Sequence, residues 1–396
     1  MQYKPLRGAR MRTYFTSESV SEGHPDKVCD QVSDSILDSH LAHDPEAHVA
    51  CETLVTTNYV MLAGEVKSHT EVDYEKVARQ TIREIGYALP DLGFHFDENT
   101  VDVRIHAQSP DIDSGVSGNR GAGDQGIMFG FACNETGALM PYPIQLAHRL
   151  LEKLSTQRRE GAIQWARPDA KSQVTVEYDD GRPVGVAEIL MSVHHAPEAE
   201  QDAMAAEVRK KVIEPVLACC EPSLPWSGRL LYNPSGRFAI GGPHGDTGLT
   251  GRKVIVDTYG GAGRHGGGAF SGKDTTKVDR SAAYMARHIA KNLVAAGVAD
   301  RCELQLAYAI GKPEPVSVMV ETFGTGHVDN LSDVETAVRE LFPLRPYEII
   351  DYLGLRKPIF KRTAAFGHFG REPGDDGSFS WERTHRAEDI RRRVLE

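Results

Sequence analysis

Segments of helical and strand period follow one another along this chain in a fixed order, and that order restricts the folds open to it. Residues 25–43 place Val28, Val32, Ile36 and Leu41 on one helical face, with Pro25 at a favoured first-turn position. Two strand-like runs follow at once, 49–56 and 59–66, joined at Thr57-Asn58 as in a hairpin. A helix over 73–85 then ends at Gly86, a good capping residue, and a strand spans 100–107. The order returns with a helix over 144–157, strands 173–178 and 184–193 about Asp180-Gly181, a helix near 199–217 and a strand at 228–232. It returns again with a helix over 280–296 capped by Gly297, strands 302–311 and 315–323, and a helix near 332–342. Strands that come in adjacent pairs argue against an alternating βαβ dinucleotide fold. The expectation is an α+β protein of three similar helix–hairpin–helix domains with mainly antiparallel mixed sheets. Glycine-rich stretches set the expected boundaries: an N-terminal extension at 1–11, then domains at 12–120, 121–240 and 241–396. The tail from Arg371 onward is polar, ends in Arg391-Arg392-Arg393 and reads as a solvated surface helix.

Composition narrows the function. The 396 residues carry 45 Lys+Arg against 56 Asp+Glu, a formal net charge of −11, so non-specific binding to nucleic acid is disfavoured. No apolar run approaches the ~20 residues of a membrane-spanning helix. The basic N-terminal stretch lacks an apolar core of signal-peptide length. Six cysteines (Cys29, Cys51, Cys133, Cys219, Cys220 and Cys302) form no C-x-x-C pair. Free thiols in a reducing cytoplasm are the expectation. Glycine is unevenly spread. Twelve of the 38 lie between Gly241 and Gly272, where an even spread would put about three. Residues 241–280 also hold Arg252, Lys253, Arg264, Lys273, Lys277 and Arg280 against Asp246, Asp257, Asp274 and Asp279, a local excess of 6 − 4 = +2. The chain's scarce positive charge sits where its backbone is least obstructed.

Three constellations fit a polyphosphate. Ser21-Glu22-Gly23-His24-Pro25-Asp26-Lys27 opens a helix, where free N–H groups and the helix dipole favour an anion, and Asp26 could hold a divalent cation. Taken alone, the same carboxylates read equally as helix caps. Gln108 to Gly126 has the length of an active-site lid or a flexible linker, and Gly121-Ala122-Gly123-Asp124-Gln125-Gly126 favours the lid. Gly260 to Asp279 is the strongest: glycines admit a ligand to the backbone, Lys273 and Lys277 supply charge, and Asp279 could hold a second metal. Gly267-x4-Gly272-Lys273 matches a phosphate loop up to the lysine, but Asp274 stands where that loop needs Ser or Thr. Gly241 to Lys253 adds Asp246, Arg252 and Lys253 in a second tight loop. Arg167-Pro168-Asp169-Ala170-Lys171 reads as a charged turn before a strand, and Phe238 as either a purine platform or core. Motifs of activated nucleophiles, such as G-x-S-x-G and H-E-x-x-H, are missing from the sequence. A nucleophile with no proton to lose would need only positioning and charge stabilisation.

The stretches GHPDK (23–27), GAGDQG (121–126), RPDAKSQVT (167–175), GRFAIGGPHGDTGLTGRKVIVDTYGG (236–261) and GGGAFSGKDTTKVDRSAAY (266–284) closely resemble the S-adenosylmethionine synthetase family. The likeness runs over about residues 12 to 385. It implies three similar α+β domains in a pseudo-threefold arrangement, a homo-oligomer (a dimer or a dimer of dimers) with active sites between subunits, and ATP and L-methionine as substrates. It further implies Mg2+, two per site, and K+ as cofactors. By resemblance His24 contacts the phosphate chain, Asp26 and Asp279 hold magnesium, and Glu52 holds potassium. Glu65, Gln108, Asp246 and Lys277 would bind methionine, Asp169 the ribose, and Arg237-Phe238 the adenine. Lys171, Arg252, Lys253 and Lys273 would clamp the phosphates, with Asp246 and Ala269 beside the nucleotide and Gln108 opening a gating loop over about 108–120. That loop looks shorter than in many bacterial relatives. A kinase or ligase, or a non-catalytic polyphosphate sensor, would use the same phosphate clamp.

Overall fold

The computed structural model describes residues 12–107 and 121–396; the expected extension at 1–11 and the loop at 108–120, Gln108 included, lie outside the described residues. The described chain is α+β with three small sheets. In order it forms β1 (Arg12–Val20), α1 (Pro25–Leu41), β2 (His48–Thr56), β3 (Tyr59–Lys67), α2 (Tyr74–Ile85) and β4 (Thr100–Ala107). It continues with β5 (Gly126–Cys133), α3 (Tyr142–Arg159), β6 (Ala166–Asp179), β7 (Arg182–His195), α4 (Gln201–Val208, continued by a π turn and a further short helix) and β8 (Leu230–Tyr232). The last third holds β9 (Gly248–Leu249), α5 (Val278–Ala295), β10 (Arg301–Tyr308), β11 (Ser317–Glu321), α6 (Leu331–Leu341), α7 (Pro346–Leu353) and α8 (Ala387–Val394).

Each sheet contains one antiparallel hairpin and one strand lent by a distant segment. β2 and β3 pair antiparallel, β4 adds parallel to β3, and β9 joins β2 from about two hundred residues downstream, with Leu54 opposite Leu249. β6 and β7 form the second hairpin, β8 adds parallel to β7, and β1 runs antiparallel along β6 from Arg12↔Asp179 to Val20↔Lys171. The third hairpin, β10–β11, receives β5 along its whole length. The loans form a cycle: the first third of the chain completes the middle sheet, the middle completes the last, and the last completes the first. No sheet is finished by its own third of the chain alone, which puts strands of high sequence separation at the heart of the fold.

Two sequence expectations are corrected. Arg167–Lys171 does not precede a strand; it lies within β6, which begins at Ala166 and is irregular between Ala166 and Ala170. Pairing with β7, Ala166 opposite His195 and Ala170 opposite Val193, carries the strand back past these residues. The polar tail from Arg371 onward is not wholly a solvated surface. Only its last helix, α8, shows that character, and even there Ile390 is buried. Trp381 is fully buried and stacks on Tyr284 of α5, with ring centroids 3.9 Å apart. Glu382, also buried, is gripped by Arg287 at 3.0 Å and Lys291 at 2.7 Å, which hold its carboxyl down to about 2 against the opposing effect of burial.

Helices pack on these sheets tightly enough to specify side-chain size. β5 lies against α5 so closely that a Cβ built on Gly130 would sit 1.9 Å from the Ala286 carbonyl oxygen. Overpacking of this kind typically costs about 1–3 kcal/mol. Gly130→Ala is therefore expected to lower the melting temperature by roughly 3–10 °C in a thermal melt. An unchanged melting temperature would mean that the strand and helix are free to separate.

Candidate active site

α1 explains why the glycine-rich loops take the shapes they do. Val28, Val32 and Ile36 are fully buried on one face of this helix. Asp26, Asp30, Asp34 and Asp38 recur every fourth residue, each two positions from an apolar residue of that face and hence about 200° around the axis. That second face is covered as well, so a column of four carboxylates enters the interior and must find donors. It finds them largely in loop backbone. Asp26 Oδ1 accepts the Leu249 amide at 3.0 Å, Asp30 Oδ1 the Gly251 amide at 2.9 Å, and Asp34 Oδ1 the Gly272 amide at 2.9 Å. Asp38 accepts the amides of Phe360 and Lys361 at 2.9 and 2.8 Å. Both cation-bearing loops thus hang from one helix.

The upper end of the column forms a first cluster. His24 caps α1, and its Nδ1 accepts the Asp26 amide at 3.2 Å. Burial, reinforced by Lys253, pushes the His24 imidazole down to about 3. It is therefore neutral near pH 7, with Nδ1 the acceptor and Nε2–H left as a donor. Asp26 is buried, yet Lys253, whose Nζ lies 2.6 Å from Oδ2, and the Leu249 amide keep its carboxyl below the usual range. Arg252 approaches Oδ1 at 3.7 Å with its side chain half exposed. From β6, Lys171 adds positive potential at His24. Asp169, on the irregular part of the same strand, is buried and pushed up to about 6, although it accepts the Gly242 amide at 2.9 Å. Asp246, exposed in the adjoining loop, lies near enough to raise Asp169 further.

Lower on the column stands a second cluster. Lys273 Nζ lies 2.6 Å from Asp279 Oδ2 in the first turn of α5. Gly268 borders the same carboxylate so closely that a Cβ there would meet Asp279 Oδ1 at 2.2 Å. Lys277, the residue before α5, pairs with Asp274 at 2.5 Å. Ala269 faces Gly251, where a Cβ would come within 2.4 Å of the alanine methyl, so the two loops touch. Ala50 of β2 bridges to Lys273 and stands opposite Glu65 of β3, while Glu52 stands opposite Ala63. Register therefore puts Glu52 and Glu65, both exposed, on one face of the sheet that carries the Lys273 loop at its edge. The two clusters are separated by two turns of α1, about 12 Å along its axis.

Arg237 and Phe238 join neither ion pair. Arg237 is exposed, and Phe238 packs beside His194, with ring centroids 5.5 Å apart, next to the Gly241-Gly242 turn that holds Asp169. His194 escapes sequence reading because a His-His pair at a strand end looks like core. Asp30 and Asp34 also escape it; the Asp26–Asp38 spacing was their signal. Lys27 and Arg280, counted by sequence among the cations of the anion-binding stretches, are instead fully buried and held by Asp30 with Asp257 and by Asp34. Among the described residues no three His, Cys, Asp or Glu side chains converge as a ready-made metal cage. Magnesium usually takes only one or two carboxylates, with water and phosphate completing its shell, and single carboxylates at Asp26 and Asp279 suit that chemistry.

Comparison with known proteins extends this geometry. Residues 12–110 match the N-terminal domain of S-adenosylmethionine synthetase, residues 119–238 its central domain, and residues 240–383 its C-terminal domain. The S-adenosylmethionine synthase of Treponema denticola is 52% identical over 391 residues, covering 96% of this chain and 98% of that protein. That of Desulfosudis oleivorans is 54% identical over 383 residues, covering 95% and 97%.

Gly268 offers a direct test of the second cluster. Gly268→Ala should displace the Asp279 carboxylate and weaken binding of magnesium tripolyphosphate on the order of tenfold, about 1.4 kcal/mol, by calorimetry. Unaltered affinity would separate Asp279 from the polyphosphate.

Proposed function

The chain belongs to the S-adenosylmethionine synthetase family, and from that premise we propose how its two clusters share the work. The activity is that of a methionine adenosyltransferase, in which the methionine sulfur attacks C5′ of ATP and the triphosphate leaves. The C–S bond forms as the C5′–O bond breaks, the sulfur becomes a sulfonium, and the electron pair departs on the triphosphate. No proton has to be removed from the nucleophile. The residues need only place the two reactants and receive the leaving charge.

The observation that carries the proposal is the pair of carboxylate–ammonium couples, Asp26–Lys253 and Asp279–Lys273. Each has the composition that a magnesium triphosphate can divide between its parts, phosphate oxygens taking the ammonium and the metal the carboxylate. Bound there, magnesium would neutralise phosphate charge. Neutral His24, through Nε2–H, donates to the phosphate chain, and Lys171, Arg252, Lys253 and Lys273 clamp it. Asp169, already partly inclined to hold a proton, takes the ribose hydroxyls. Phe238, supported by His194, and Arg237 receive the adenine, with Asp246 and Ala269 beside the nucleotide. Glu65, Gln108, Asp246 and Lys277 hold methionine, and Gln108 begins a gating loop. Hydrolysis of the released tripolyphosphate to pyrophosphate and phosphate completes the cycle.

The clusters lie two helical turns apart, and a roomy cleft of the described residues, among Tyr14, Val184, Trp226 and Arg229, is at neither. That favours a homo-oligomer, a dimer or a dimer of dimers, in which one chain's first cluster meets another's second. The cyclic loan of strands supports three similar helix–hairpin–helix units about a pseudo-threefold axis, divided near residues 120 and 240. Potassium belongs at Glu52, and the protein works in the cytoplasm.

Product identity tests the whole reading. With ATP, methionine, magnesium and potassium, the protein should release S-adenosylmethionine, phosphate and pyrophosphate; ADP or AMP would contradict it. Lys273→Ala is expected to lower kcat by roughly 10²–10³ while leaving the methionine KM nearly unchanged. A raised KM with unchanged kcat would remove Lys273 from the leaving group. Glu52→Gln should blunt activation in a potassium titration, and an unaltered potassium response would clear Glu52 of that role.

A further inference from the structure

Behind Lys273 lies an ion pair that faces no ligand. Asp34 of α1 and Arg280 of α5 are both fully buried, and Arg280 grips the carboxylate with two parallel bonds, 2.7 Å to Oδ1 and 2.8 Å to Oδ2. The pair does more than neutralise itself. Asp34 Oδ1 also accepts the Gly272 amide at 2.9 Å, and Arg280 donates to the Lys273 carbonyl at 3.1 Å. The peptide group before Gly272 and the one after Lys273 are thus tied to one planar, bidentate unit, which brackets the two residues. Gly272 has a φ of +82°, and a Cβ there would lie 2.0 Å from the Cys51 carbonyl oxygen, so the turn has no second way to sit.

The guanidinium is itself fixed from three other sides. It lies over the Phe360 ring at 4.3 Å and donates to Thr363 Oγ1 at 3.1 Å. Its Nε donates to the Tyr284 hydroxyl at 3.1 Å, which in turn meets His368 Nδ1 at 2.7 Å. His368 donates its backbone amide to the Asp257 carbonyl at 2.9 Å, and the Asp257 side chain bonds Lys27, which also holds Asp30 at 2.9 Å. A continuous buried network therefore runs from the turn that carries His24 and Asp26 to the turn that carries Lys273.

We propose that Asp34 and Arg280 are positioning residues for Lys273: their bidentate pair sets the Gly272–Lys273 backbone so that the ammonium meets the leaving triphosphate. This rests on the role given to Lys273 above. A buried pair of this kind is weak support for stability, because well-packed apolar residues of similar size often replace it without loss. Its four additional backbone and side-chain bonds around Lys273 and Tyr284 are what a stability role leaves unexplained. Displacement of a catalytic group by about 1 Å can cost on the order of 10²-fold.

The test is a cycle in the full-length enzyme. Asp34→Leu with Arg280→Met removes the pair without stranding a charge, and Asp34→Asn and Arg280→Lys serve as gentler variants that keep side-chain size should the double change fail to fold. Each is measured with Lys273 intact and with Lys273→Met, following kcat, the methionine KM and the thermal melt. With Lys273 present, loss of the pair should lower kcat roughly 10–100-fold with the methionine KM within about twofold. On the Lys273→Met background the same change should cost less than about threefold, because there is no longer an ammonium to position. Equal losses on both backgrounds would overturn the positioning role and leave a merely structural pair. An undiminished kcat for Lys273→Met alone would overturn the role of Lys273, and the positioning role with it.

Discussion

Four aspartates on one helix organise this molecule. A carboxylate brought into the interior is costly unless donors meet it, and α1 brings in Asp26, Asp30, Asp34 and Asp38 at once. Backbone amides of Leu249, Gly251, Gly272, Phe360 and Lys361 answer them, together with Lys27, Lys253 and Arg280. Glycine is suited to such loops because its backbone can come close and turn sharply. The glycine-rich stretches, which by composition alone would be expected to wander, are anchored to a helix buried along nearly its whole length. Their lysines then project from a fixed base.

Catalysis follows from that arrangement with few special parts. The nucleophile has no proton to give up, so the chain spends no residues on a base and its partner. What remains is a charge problem: a leaving group with several negative charges, met, in the proposed site, by cations that are already in place and already balanced by carboxylates. Resting couples such as Asp26–Lys253 and Asp279–Lys273 keep the cluster from repelling itself while no substrate is bound. The net acidity of the chain and the basic character of its glycine loops are two sides of this design. On the proposed assignment, the acidic excess keeps polyanions off the rest of the surface, and the local reversal admits one where it is used.

Much of this was legible in the sequence, and the limits have a physical pattern. Helix α1, the three hairpins and the capping glycines Gly86 and Gly297 are local events, set by periodicity and turn chemistry within a dozen residues. His24, Asp26 and the Gly260–Asp279 loop declared themselves by clustering. The strand loans did not: β1 pairs with β6 across some 160 positions, and nothing in Arg12–Val20 names its partner. The early start of β6, which moves Asp169 and Lys171 from a turn into a strand, follows from its pairing with the far end of β7, where Ala166 stands opposite His195. Trp381 and Glu382 looked like tail because their partners Tyr284, Arg287 and Lys291 lie about ninety residues away. Asp30 and Asp34 read as an ordinary polar helix face, since only the tertiary structure shows that both faces of α1 are covered.

The carboxylate column holds the loops, and amide hydrogen exchange at Leu249, Gly251 and Gly272 reports on that hold most directly. If Asp26, Asp30 and Asp34 accept these amides as drawn, all three exchange as slowly as amides in the middle of α5, although they lie in glycine-rich loops and no substrate is present. Exchange at the rate of an open surface loop would contradict the column, and with it the fixed base from which the lysines are said to act.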